Sequence, residues 1–96
     1  MLIDDLRHLQ PQFQALLDRY GASHLRVFGS VARGEETSES DIDFLVSFPK
    51  GYDLFKQRLP LASGLQNLVK RNVDLIPEHE LNAHMREHIL SEAIHL

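Results

Sequence analysis

Two short apolar runs in this chain carry aspartates where a strand has little use for them, and that conflict narrows what the chain can fold into. Over Asp41 to Phe48 the side chains of a strand alternate between faces. Asp41, Asp43 and Leu45 then share one face, and Ile42, Phe44 and Val46 share the other, which reads as a core face. Two carboxylates therefore point the same way at the start of a strand. Val73-Asp74-Leu75-Ile76 repeats the pattern, with one acid set among apolar residues. If the two strands pair, Asp41, Asp43 and Asp74 converge, and three anions so close repel strongly unless a cation neutralises them. Hard oxygen donors select Mg²⁺ or Mn²⁺, and carboxylates plus substrate phosphates are the usual way of holding Mg²⁺. Singly, each acid is more simply read as a strand-end residue facing water. The three together are not.

Upstream stands Gly29-Ser30, joining an expected strand at Leu25–Phe28 to a helical turn at 30–34. A glycine there lets a phosphate approach the backbone, helix-start N–H groups point at the anion, and the Ser30 hydroxyl adds a donor. A Gly-Ser pair alone is a common turn. Its spacing sharpens it: Gly29-Ser30, ten residues, then Asp41-Ile42-Asp43. Arg33 reads two ways, as a contact to a phosphate or base, or as a surface side chain holding Glu35 or Glu36. His84 and His88 have i, i+4 helical spacing, but without the glutamate of a metalloprotease helix they read as a solvated polar face.

Around these motifs, Leu2, Leu6, Leu9, Phe13, Leu16, Leu17 and Tyr20 recur at three- and four-residue steps and predict a helix over 2–20, interrupted or restarted at Pro11. A second helix is expected over 53–70, bent or split at Pro60 and Gly64, and a final one through Leu81, Met85, Ile89 and Ala93. The order α-β-β-α-β-α predicts an α+β fold, a small mixed β-sheet with flanking helices. At 96 residues the expectation is one domain, 1–96. There is no cysteine, no apolar run near the ~20 residues of a membrane span, and an acidic, amphipathic start unlike a signal peptide. A cytoplasmic protein is expected. The net charge of −4, with no basic run longer than Lys70-Arg71, argues against a long nucleic acid as partner, while a small nucleotide remains open because metal ions can supply positive charge.

The segment FGSVARGEETSESDIDFLV, followed by VDLI, resembles the nucleotidyltransferase superfamily that includes DNA polymerase β, and in particular the minimal nucleotidyltransferases that pair with HEPN-domain toxins. The likeness runs from the first helix to the closing SEAIHL, and departs at Pro60 and Gly64 in the long helix. It implies that Asp41 and Asp43 ligate two Mg²⁺ ions (Mn²⁺ being possible), that Asp74 ligates the catalytic one, and that Gly29 and Ser30 clasp the terminal phosphates of ATP. Arg33 and Gly34 match the Arg-Gly that follows. It further implies an antitoxin that transfers AMP to a hydroxyl side chain, with Tyr expected, of a HEPN ribonuclease toxin. Two other readings stand beside it: neutralisation of the toxin by binding alone, and a small-molecule transferase of the aminoglycoside type, against which the lack of a second substrate domain counts.

Overall fold

Prolines set the joints of the helical layer. In the computed structural model, which describes residues 2–96, the chain breaks at Leu9 into α1 (Leu2–His8) and α2 (Gln10–Tyr20). Pro11 then falls in the first turn of α2, where a missing N–H costs nothing. Gly21, at φ 69°, closes α2 with its N–H on the Leu17 carbonyl. The expected helix at 53–70 is likewise split. Residues Leu54–Arg58 wind as a π-helical turn capped by the Asp53 carboxylate, and α4 (Leu59–Val69) begins with Pro60 in its first turn. Gly64 is a close-approach residue: a Cβ there would stand 2.9 Å from Leu16 Cδ2 of α2.

Four strands form one mixed sheet in the order β3-β2-β1-β4. They are β1 (Ser23–Phe28), β2 (Ile42–Ser47), β3 (Val73–Pro77) and β4 (Ile94–His95). β1 is antiparallel to β2 and β4, and β2 is parallel to β3. The five-residue α3 (Gly29–Arg33) follows β1 directly. The α+β fold with a small mixed sheet is as the sequence predicts.

Two differences bear on the site. The final helix, α5 (Ala83–Glu92), is shorter than its four-residue repeat suggests: Met85 faces solvent, and the chain after Ala93 turns into the edge strand β4. Second, the sheet is covered on both faces. Leu6, Phe13, Leu17, Leu61 and Leu65 pack on Val27, Ile42, Phe44, Val46 and Leu75 to form the main core. On the opposite face Leu45, expected beside the solvated acids, is buried with Phe28 beneath Ile89 of α5. That face is thus apolar in its middle and acidic at one end.

At its other end the same face holds Arg26, 7% exposed. Its Nη1 donates to Glu78 Oε1 at 2.7 Å and its Nε to the His24 carbonyl. The Arg26 hydrogen bond is the chief cause that holds the Glu78 carboxyl below its ordinary range. A depressed carboxyl contributes stability that is complete above its unfolded pKa and disappears as pH falls through the folded one. Glu78→Gln is expected to cost about 1–3 kcal/mol at neutral pH, the penalty of leaving a buried charge without its partner, discounted for the partial exposure of Glu78. Urea melts at pH 7 and below pH 4 check this; the gap from wild type should shrink at the acid end.

Candidate active site

Strand register builds this site. Phe28 of β1 lies opposite Asp43 of β2, and Asp43 lies opposite Asp74 of the parallel β3. Because neighbouring strands run about 4.8 Å apart, one row across the sheet carries two carboxylates side by side. Gly29 follows Phe28 and bends the chain out of β1 at φ 72°, the left-handed region that favours glycine. A Cβ at Gly29 would stand 2.2 Å from Asp43 Oδ2, so the carboxylate lies against bare backbone. Ser30 sits half-buried beside it in the first turn of α3.

Asp41 stands just ahead of β2 and is exposed, as is Asp74, while Asp43 is half-buried. The loop before Asp41 is held by Arg71, whose Nη1 donates to the carbonyls of Thr37 and Ser40 at 2.8 and 3.2 Å. The Ile42 N–H donates to the Asn72 carbonyl at 3.0 Å, which ties the starts of β2 and β3 together.

Electrostatics mark Asp43. Burial, then the charges of Asp74, Asp41 and Glu92, push its carboxyl above the ordinary range, and Arg33 opposes them only weakly. Among the described residues no three His, Cys, Asp or Glu side chains close into a set that could hold a metal ion. Asp41, Asp43 and Asp74 are therefore neighbours whose charges act on one another, without being drawn into a ligand shell. In chemistry, though not in their present placement, these donors suit a hard divalent cation: they are all oxygen, short of positive charge, and Asp43 lies against a backbone cradle that a Cβ would fill.

Arg33 projects from the end of α3 and is paired twice, through Nε to Glu35 Oε1 at 3.3 Å and through Nη1 to Glu92 Oε1 at 2.6 Å. The surface-pairing reading thus describes its present partners. His84 and His88 lie exposed on α5, as a solvated face should. Glu92 was not marked by any sequence pattern. Its side chain is only 11% exposed, and its Oε2 accepts the Gly29 N–H at 2.9 Å. Burial pushes the Glu92 carboxyl up, but the Arg33 and Gly29 hydrogen bonds outweigh that and hold it below its usual range. No local spacing could have found it, because its partners lie 59 and 63 residues away.

Residues 11–96 match the family model described as the nucleotidyltransferase domain. The chain belongs to that family. It is a nucleotidyltransferase, and its relatives include Protein adenylyltransferase MntA of Thermococcus cleftensis, 33% identical over 84% of this chain and 81% of that one. A Methanocaldococcus jannaschii chain assigned to the protein adenylyltransferases is 34% identical over 92% of this nucleotidyltransferase and 90% of its own length. Among solved structures, one assigned to the minimal nucleotidyltransferases superposes with a TM-score of 0.85 at 41% identity, covering 100% of this chain and 97% of that one. A toxin–antitoxin complex solved with AMP-PNP shares the fold at TM-score 0.73 and 22% identity, over 88% of this chain and 69% of that one.

Two substitutions test the geometry of this nucleotidyltransferase. Asp43→Asn removes a charge from a crowded, half-buried position, so without divalent metal it is expected to melt no lower than wild type. The gain is at most the 4–8 °C that ~1 kcal/mol makes in a domain this size. A carboxyl whose folded pKa is raised costs stability above that pKa and less as pH falls, so the gain should fade towards pH 4. Gly29→Ala must instead meet both the φ and the Asp43 carboxylate, and is expected to cost about 2 kcal/mol or more. Thermal melts across pH check both.

Proposed function

We propose that this nucleotidyltransferase transfers AMP from ATP to a hydroxyl side chain, with Tyr expected, of a HEPN ribonuclease toxin, and so acts as its antitoxin. The observation that carries the reading is the Asp43–Asp74 pair on adjacent parallel strands, with Gly29 packed against one of its carboxylates. The name of the Thermococcus cleftensis relative, a protein adenylyltransferase, supports a protein acceptor. The antitoxin role follows from the resemblance to minimal nucleotidyltransferases that pair with HEPN toxins.

In this reading Gly29 and Ser30 take the terminal phosphates of ATP, through backbone N–H groups and the Ser30 hydroxyl. Asp41, Asp43 and Asp74 would hold divalent cations, with Mg²⁺ expected. When bound, such ions neutralise charge on the attacking and leaving oxygens and lower the pKa of an acceptor hydroxyl. Asp74, at the exposed edge of the row, would receive that hydroxyl's proton. The acceptor oxygen bonds to the α-phosphorus, the bridging bond to the β-phosphate breaks, and pyrophosphate leaves. The half-buried Asp43, held against Gly29, would fix the position of the site on the sheet.

The competing reading is neutralisation by binding alone. It draws on Leu54, Phe55 and Leu59, apolar side chains left exposed around the π-helical turn. One experiment separates the two. Asp41→Asn with Asp43→Asn is expected to fold, yet to leave a co-expressed toxin without added AMP mass and to fail to rescue growth. Loss of transfer should reach several orders of magnitude, because electrostatic stabilisation usually supplies the largest share of the rate. Intact-mass spectrometry and a growth assay on the same strains give the answer; rescue with unmodified toxin would overturn the catalytic reading.

A further inference from the structure

Glu92 stands where a ligand would be expected to stand. Its two carboxylate oxygens are divided between the Gly29 N–H, at 2.9 Å, and Arg33 Nη1, at 2.6 Å. The Gly29 N–H is a donor to the terminal phosphates in the reading above, on which this inference rests, and a phosphate contact is one of the two sequence readings of Arg33. An internal anion thus holds one donor of the clasp and the guanidinium beside it, and it does so from a well-covered position, 11% exposed, while kept in its charged form.

We propose that Glu92 is an exchangeable stand-in for phosphate: it occupies Gly29 and Arg33 in the unliganded chain and gives both up to the terminal phosphates of a nucleoside triphosphate. A carboxylate and a phosphoryl group present the same kind of acceptor oxygens to an N–H and a guanidinium. Two anions cannot share the pair without repulsion, since like charges a few ångströms apart oppose each other strongly. In the empty state the carboxylate satisfies a half-buried N–H and gives the guanidinium a second partner beside Glu35, so the turn and Arg33 are kept in place before the ligand comes. Exchange also has a consequence at a distance. Glu92 ends α5, and two residues later Ile94 and His95 pair with Val27 and Arg26 of β1, with the Leu96 N–H on the Leu25 carbonyl at 3.3 Å. Releasing Glu92 loosens the anchor of that edge strand.

The test is calorimetric titration of the whole chain with AMP-PNP in the presence of Mg²⁺, beside amide hydrogen exchange on the wild type. Glu92→Gln keeps a hydrogen-bonding side chain of the same size but removes the charge, and is expected to bind AMP-PNP about 5-fold tighter, a charge-assisted bond being replaced by a weaker neutral one. AMP, which lacks terminal phosphates, should show no such gain. In wild type, AMP-PNP should lower the exchange protection of the Leu96 amide. Binding by Glu92→Gln that is unchanged or weaker, or a Leu96 amide that nucleotide protects further, would overturn the exchange. Ser30→Ala keeps the two readings apart: unaltered AMP-PNP binding by that variant overturns the clasp itself and the exchange with it, whereas weakened binding by Ser30→Ala beside an unresponsive Glu92→Gln overturns the exchange alone.

Discussion

The row that sets Asp43 beside Asp74 works against folding. A parallel pair of strands puts the two residues at the same height, both on the face that α5 only partly covers, and burial raises the cost of charge on Asp43. Moving the register by one residue would separate the acids, but it would also turn Ile42, Phe44 and Val46 out of the main core. The apolar face therefore locks the repulsive pair in place. Gly29 completes the constraint from the other side, since only a residue without a Cβ leaves room for the Asp43 carboxylate.

The rest of the fold can be understood as what this row requires. Parallel β2 and β3 need a crossover, and the segment between them supplies the π-helical turn and α4, whose Leu61 and Leu65 close the main core. The opposite face is divided by function. Phe28 and Leu45 meet Ile89 in its middle, the Arg26–Glu78 pair closes one end, and the other end is left to the acids and Glu92. A thin layer of one helix thus shields the middle of that face and leaves Asp41 and Asp74 exposed at its acidic end.

What was legible in the sequence followed the period of the residues. Alternation across 41–48 identified β2, its core face and the aspartates that interrupt it, and Pro11 and Pro60 marked both helix joints. The Gly29-Ser30 turn and its ten-residue distance from Asp41 were legible because each part is local. What escaped was non-local. β4 is two residues long, too short for any periodicity, and exists because β1 offers it an edge. Leu45 looked like a neighbour of solvated acids because nothing in the alternation shows that α5 lies over the middle of that face. Glu92 carries no local signal, because only the fold brings Gly29 and Arg33 to it. The three aspartates were expected to converge, and the structure brings them together as neighbours without closing them into a shell.

The central claim is that the Asp43–Asp74 row gathers a divalent cation together with a triphosphate on the Gly29–Ser30 turn. Paramagnetic Mn²⁺, titrated at substoichiometric levels into isotopically labelled chain with AMP-PNP, broadens the amide resonances nearest to where it binds. Broadening should centre on Gly29, Ser30, Asp43 and Asp74, and vanish from them in Asp43→Asn. Broadening centred elsewhere, or unchanged by that substitution, would contradict the account.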